Sequence, residues 1–258
     1  MYSKMAAVII ILLVLSCTGG HSHQKEQAGS RTKPLSDTNL TGIASIPLPA
    51  GFKRIFYKKE TFGDWLRSLP LKKDKTVYLN NGSVKPNQAA QFAVLDVTVG
   101  DKDLQQCADA VMRLRAEYLF SRQRFTEISF TDNEAGIYKM AAPYTRDRFD
   151  VYLQRVFSMC GSASLSKQLR SVNMMAMQPG DVLIKGGFPG HAVIVVDMAE
   201  NDQGEKIYML AQSYMPAQDI HILLNPNSGE NSPWYTLNND KDIFTPEYYF
   251  TNEQLKTW

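Results

Sequence analysis

The chain has 258 residues, of which 44% are hydrophobic and 21% are charged, and its formal net charge at pH 7 is +2. These values are typical of a globular protein with a sizeable core, and they predict one main compact domain. The basic residues are too scattered to form the continuous phosphate-binding surface that nucleic acid requires, so we expect no nucleic-acid partner.

The first 17 residues predict an export signal. Lys4 supplies a positive charge, and the apolar stretch that follows it is too short to span a bilayer comfortably. The string VLSC, which ends at Cys17, resembles a bacterial lipobox, whose cysteine is lipidated and anchors the mature protein to a membrane. We therefore expect a lipid anchor in the cell envelope, on the periplasmic or outer-membrane face. The alternative is an ordinary cleaved signal with an incidental cysteine.

Residues 18–45 contain few large apolar side chains and many Gly, Ser, Thr and charged residues. Such a composition cannot bury enough surface to become ordered, and it predicts a flexible tether in which His21 and His23 are solvated. Residues 46–258 lack a long polar linker and an internal repeat, which predicts a single folded domain.

The first half of this domain has three recognisable elements. Residues 62–71 predict a short helix that Pro70 stops, and residues 77–85 contain the Asn-Gly pair of a tight hairpin. Residues 91–100 predict a strand, because their odd positions form an apolar face.

Helices follow this strand. Asp103 with Gln106 three residues later forms a capping-box pattern, which predicts a long helix with Cys107 about one turn inside it. Residues 146–159 predict a second helix that Gly161 closes, and another helix is expected after Ser162.

The last part of the domain predicts strands. Turn residues separate four apolar runs, at 182–185, 191–199, 206–214 and 218–224, which indicates an antiparallel meander. Helices followed by an antiparallel sheet form an α+β fold in which the helices pack on the sheet.

His191 begins one of these strands directly after the turn Gly-Phe-Pro-Gly, where glycines permit close approach of a ligand. Pairing Glu200 with Glu205 across the next turn would bring His191, Gln212 and Tyr214 onto one face of the sheet. A polar side chain beside a histidine can fix the orientation of its ring, which is the third role in nucleophile–base catalysis. A register shift of one residue would remove this arrangement.

Cys107 is the candidate nucleophile. Free amides and the helix dipole near the start of a helix lower a thiol pKa toward the reactive thiolate, and Gln106 could donate to an oxyanion. Two alternatives remain open: Cys107 also fits the apolar stripe of its helix as a small core residue, and it could form a disulfide with Cys160.

Other chemistries find little support in the sequence. His221 lies between two isoleucines and is expected to be an exposed or half-buried strand residue. There is no metalloprotease, Cys-x-x-Cys, phosphate-loop or dinucleotide motif, so we expect no metal and no cofactor.

Long strings of the sequence, among them KPNQAAQFAVLDVTVG and PGDVLIKGGFPGHAVIVVD, resemble a bacterial family of unknown function, domain-of-unknown-function family 4846. A helix-start cysteine followed by PGD and by GH at a strand start is also similar to the papain-like NlpC/P60 peptidases. This resemblance implies a papain-like NlpC/P60-type fold with Cys107 as nucleophile, His191 as base and Gln212 as its orienting residue. The family's Asp-Cys-Ser-Gly is here Gln-Cys-Ala-Asp.

Two functions follow from these patterns. The first is a monomeric, lipid-anchored thiol hydrolase that cuts an amide or peptide bond in peptidoglycan peptides, with Tyr214 and Gln106 as candidates for oxyanion or substrate binding. The second is a catalytically inert lipoprotein that binds a peptide or glycan on the same scaffold, in a groove lined by aromatic residues such as Phe188, Tyr208, Tyr214, Trp234 and Tyr235.

Overall fold

The computed structural model describes residues 40–239 and 242–258. The export signal, the lipidation site Cys17, the histidines His21 and His23 and most of the predicted tether lie outside the described residues. Among the helices of the described ranges, none has the length and apolar character needed to cross a membrane.

The described ranges contain four α-helices, thirteen short or medium strands and four 3₁₀ turns. The helices are α1 (Phe62–Arg67), α2 (Cys107–Ser121), α3 (Arg146–Met159) and α4 (Ser162–Gln168), and the 3₁₀ turns are Ile43–Ser45, Phe125–Glu127, Met174–Ala176 and Asn252–Gln254. The strands are β1 (Phe52–Arg54), β2 (Gln91–Val94), β3 (Ser129–Thr131), β4 (Ile137–Lys139), β5 (Arg170–Ser171), β6 (Val182–Lys185), β7 (His191–Asn201), β8 (Lys206–Gln212), β9 (His221–Leu223), β10 (Tyr235–Thr236), β11 (Ile243–Phe244), β12 (Tyr249–Phe250) and β13 (Leu255–Thr257).

Nine of these strands form one antiparallel sheet, and the long strands β7 and β8 lie at its centre. The strand order is β2-β9-β8-β7-β6-β13-β5, with β1 added to β7 and β10 added to β8. Two small hairpins, β3-β4 and β11-β12, complete the strand pairing of the described residues. The predicted α+β class and the antiparallel meander are therefore confirmed.

Apolar residues cover both faces of the sheet. One cluster joins the helices to the sheet through residues such as Val111, Leu114, Ala192 and Ile194. A smaller cluster on the other face includes Val193 and is covered by the segment after β9. Alternate residues of β7 thus face opposite clusters, as the two-residue period of a strand requires.

The helix predicted over 146–159 has the bounds of α3, but α1 already ends at Arg67 and α2 begins later than expected. Asp103 does not cap it, because its Oδ1 accepts hydrogen bonds from the backbone N–H of Ala217 at 2.6 Å and from Gln106 Nε2 at 3.1 Å. Asp109 Oδ2 instead accepts from the Gln106 backbone N–H at 3.0 Å. Cys107 is therefore the first residue of α2 and not one turn inside it.

Other expected extents differ as well, since β8 ends at Gln212 and not at 214, and β9 spans only His221–Leu223. The strand expected over 91–100 ends at Val94, because β9, its partner in the sheet, pairs only with Gln91 to Val94. The folded region also extends to the N-terminal side of Ile46, since Ile43 is fully buried and its backbone N–H bonds to Leu69 O at 3.0 Å.

The pairing of β7 with β8 contains a β-bulge that corrects the expected register. Glu200 lies opposite Lys206 and not opposite Glu205, so the register near the turn differs by one residue from the expected one. A shift between Val195 and Asp197 then brings Ile194 opposite Ala211, the alignment that the sequence predicted for this end of the strand. The bulge therefore offsets the one-residue difference at the turn, and the expected register is recovered at the end of β7 that carries His191.

Candidate active site

The turn Gly186 to Gly190 delivers His191 to the first position of β7. Gly187 has a φ of +105°, which side-chain-bearing residues rarely adopt. A Cβ at Gly190 would lie 2.3 Å from Gly187 O and 2.8 Å from Lys185 O, so only glycine fits there. The backbone before His191 is therefore tightly packed within its own turn, and this packing fixes the position from which the His191 side chain extends.

Gly190→Ala should therefore destabilise the protein and displace His191. We expect a loss of about 1–3 kcal/mol in the free energy of unfolding, since the methyl group meets backbone oxygens that cannot rotate away. The matched control is Gly229→Ala, because a Cβ there meets nothing within 4 Å. Denaturant unfolding of the two variants measures the difference, and equal stability would contradict this account of the turn.

Cys107 and His191 line the same cavity, which has a volume of about 340 Å³. As the first residue of α2, Cys107 has a backbone N–H without an i−4 carbonyl partner inside the helix, and the same holds for Ala108. The cavity is further lined by Asp103, Leu104, Gln106, Ala108, Asp109, Phe157, Cys160, Gly161, Ser162, Gly187, Phe188, Pro189, Gly190, Tyr214, Met215 and Tyr248.

The imidazole of His191 is buried and is held by Gln212. His191 Nε2 lies 2.8 Å from Gln212 Oε1, although the two residues are 21 positions apart. Because an amide oxygen only accepts, Nε2 carries the proton and Nδ1 keeps a free lone pair. The ring centroid also lies 4.6 Å from that of Tyr214 and 4.9 Å from that of Tyr248. With the stacked ring of Phe250 at 6.0 Å, the imidazole is held by one hydrogen bond and three aromatic contacts.

Burial dominates the electrostatics of the candidate pair. It raises the pKa of Cys107 to about 11, to which the Asp109 carboxylate adds, while nearby backbone amides of Ala192, Ala108 and Cys107 act in the opposite direction. Burial also lowers the pKa of His191 to about 4. The expectation that the helix start makes Cys107 a thiolate is thus wrong for the resting state, because desolvation outweighs the amides. The resting pair is a neutral thiol and a neutral imidazole.

The two predicted accessory residues both reach the cavity. Tyr214 lines it beside the ring of His191. Gln106 lines it too, but its side-chain amide already donates to Asp103. An oxyanion at Cys107 would therefore be stabilised more readily by the backbone N–H groups at the start of α2, which have no partner inside the helix, than by the Gln106 side chain.

The structure also tests the expectations for a disulfide, an aromatic groove and a metal site. Cys107 and Cys160 are both free thiols that line the cavity, so the structure contains no disulfide between them. Phe188 lies at the rim with 94% of its surface exposed. Three aromatic residues expected in a binding groove are instead buried in the core, namely Tyr208, Trp234 and Tyr235. Within the described ranges no group of three metal-binding side chains is close enough to hold an ion.

Sequence reasoning missed two residues of this site. His221 is fully buried, and its Nε2 lies 3.3 Å from Gln212 Nε2, which corrects the expected exposed or half-buried position. Glu247 Oε2 accepts from Gln212 Nε2 at 2.7 Å. Glu247 stands 35 positions after Gln212 in a segment without strand or helix periodicity, so no local signal identifies it. For His221 the sequence offers one indication of a role in the site, which is that the folded domain contains few histidines.

The fold and the cavity define an α+β protein in which a half-buried cysteine and a buried histidine line one cavity, with a buried glutamine bonded to the histidine. The model of the family described as domain of unknown function (4846) matches residues 43–140 and 131–257. The chain belongs to this family. Neither the curated proteins nor the solved structures contain a match to the chain.

Proposed function

We propose that this protein is a thiol hydrolase of the NlpC/P60-like, papain-type class that cuts an amide or peptide bond. The observation that carries the proposal is the opening of Cys107 and His191 onto one cavity, with His191 Nε2 held on Gln212 Oε1 at 2.8 Å. This hydrogen bond directs the free lone pair of the imidazole to Nδ1, the atom left to act as the base.

The reaction would begin from the neutral pair. The Cys107 sulfur attacks the carbonyl carbon while its proton moves to His191 Nδ1, since the thiol pKa of about 11 leaves little thiolate at neutral pH. The C–N bond then breaks, and the leaving amine takes the proton from His191. Water hydrolyses the resulting thioester, gives a proton to His191 and frees the acid, after which the proton returns to sulfur. Backbone amides at the start of α2 stabilise the oxyanion.

The proposed setting is the cell envelope, with Cys17 lipidated, the segment that follows it as the tether and peptidoglycan peptides as the substrate. The lipobox-like string that ends at Cys17 supports the compartment, and the compartment together with the resemblance to NlpC/P60 peptidases supports the substrate.

The experiment uses the purified full chain with peptidoglycan fragments and a peptidyl chloromethyl ketone as a thiol probe. We expect new amine termini by mass spectrometry and one adduct on Cys107. His191→Ala should slow both by about 10²- to 10⁴-fold, the usual contribution of a general base. Cys160→Ala is the matched control and should retain both. Absence of turnover and of any adduct on Cys107 would exclude the hydrolase.

A second candidate is an inert binder of a peptide or glycan, which the raised pKa of the Cys107 thiol favours. In the same experiment, calorimetric binding of the fragments without release of product by wild type would select this function.

A further inference from the structure

The amide of Gln212 lies at the centre of a buried hydrogen-bond network that reaches well beyond the cavity. Gln212 itself is 1% exposed, so its hydrogen-bond partners are protein groups and not bulk water. Its oxygen faces His191, and its nitrogen faces both Glu247 and His221. Each of these contacts restricts which group of Gln212 can donate a hydrogen bond and which can accept one.

Glu247 determines the orientation of the Gln212 amide group. Its carboxylate forms an ion pair with Lys85 Nζ at 2.6 Å, and it accepts from Asn87 Nδ2 at 2.9 Å. A carboxylate in an ion pair offers only acceptor oxygens, so the group of Gln212 that faces it must be the NH₂. The opposite orientation would set the amide oxygen against the carboxylate.

His221 holds the second hydrogen of the same NH₂ group. Its Nδ1 lies 2.9 Å from the carbonyl oxygen of Asp219, which makes Nδ1 the protonated nitrogen and Nε2 the acceptor. Gln212 Nε2 can therefore donate one hydrogen to Glu247 and the other to His221. Both hydrogens of the amide nitrogen are used, and the oxygen is left for His191.

We propose that Glu247 is a positioning residue that fixes the amide orientation of Gln212 and, through it, keeps the proton of His191 on Nε2. The tautomer with a free Nδ1 is the one that could accept the proton of Cys107. This role rests on the proposed function only for its catalytic consequence, because the tautomer itself can be read without turnover.

The test is Glu247→Gln in the full chain. A glutamine at 247 can present either an oxygen or an NH₂ group to Gln212, so only His221 still opposes rotation of the Gln212 amide, and the proton of His191 can move to Nδ1. Nitrogen-15 NMR of labelled histidine should show Nε2 as the only protonated nitrogen of His191 in wild type and both tautomers in the variant. His191→Ala assigns the signals, and Glu253→Gln, at an exposed carboxylate, is the matched control.

Loss of Glu247 leaves Lys85 as a buried cation without its partner, and the single variant could therefore unfold. The double variant Glu247→Gln with Lys85→Met removes both charges and should give the same mixed tautomers. An unchanged Nε2–H tautomer in a folded variant would overturn the proposal.

The rate of Cys107 modification by the chloromethyl ketone should fall about tenfold in the folded variant, the scale expected when one orienting hydrogen bond is lost. Rescue by Glu247→Asp would restore part of the rate. A mixed tautomer together with neither wild-type turnover nor an adduct on Cys107 would retain the positioning role and exclude the hydrolase, so the two proposals fail separately.

Discussion

Asp197→Asn should cost about 3–5 kcal/mol in the free energy of unfolding, the range found when one partner of a buried ion pair is removed. Asp197 is fully buried and accepts from Arg54 Nε at 2.8 Å and from Arg67 Nε at 2.7 Å. It also accepts from the backbone N–H of Met198 at 2.9 Å. The substitution leaves two largely buried guanidinium groups without a counter-ion and exchanges an acceptor for a donor.

Asp202→Asn is the matched control, because Asp202 forms an ion pair with Lys53 in which both side chains are about three-quarters exposed. Solvent screens such a pair, so its loss should cost less than about 1 kcal/mol. Denaturant unfolding at pH 7 measures both variants. Equal losses at the two positions would show that the buried carboxylate contributes no more than a surface one.

Acidification from pH 7 to pH 5 should destabilise the protein by about 2 kcal/mol for each of the two buried histidines. Burial lowers the pKa of His191 and of His221 to about 4, whereas an unfolded histidine titrates near 6.5. Between these values the unfolded state binds more protons than the folded state. Stability is therefore greatest above pH 6.5 and is lost as the pH falls toward 4.

His221→Gln is the variant that isolates this effect. It removes one buried imidazole, so the loss of stability between pH 7 and pH 5 should shrink by about half, whatever the variant's stability at pH 7. Denaturant unfolding at a series of pH values gives the slope. Identical slopes in wild type and variant would mean that the histidines are not neutral and buried.

The sequence was sufficient for the elements whose periodicity is local. The bounds of α3 and of β6 were predicted correctly, because turn residues and apolar spacing define both ends. The start of α2 was not, since Asp103 satisfies every local rule for a helix cap but is used by the distant amide of Ala217. A long-range hydrogen bond is invisible to a rule that reads four neighbouring residues.

The candidate site divides in the same way. His191 could be chosen from the sequence because few histidines remain in the domain and one follows a glycine turn. Its contact with Gln212 was expected from a strand register that is wrong at the turn and correct at the His191 end of β7. A bulge in β7 causes this difference, and no residue pattern in the sequence predicts it. Glu247 and the ion pair with Lys85 depend on segments 162 residues apart and required the structure.

The bulge in β7 also directs the charged Asp197 and the neutral His191 toward opposite sides of the sheet. His191 and Asp197 are both odd-numbered, and a regular strand would point them toward the same side of the sheet. The extra residue reverses the alternation: Val193 and Val195 belong to the cluster away from the helices, whereas Ala199 belongs to the helix-side cluster. The carboxylate and its two arginines are thereby turned toward α1, and the neutral imidazole keeps an aromatic surrounding free of their charge. One inserted residue thus lets a single strand carry a buried ion-pair cluster on one side of the sheet and an uncharged imidazole on the other.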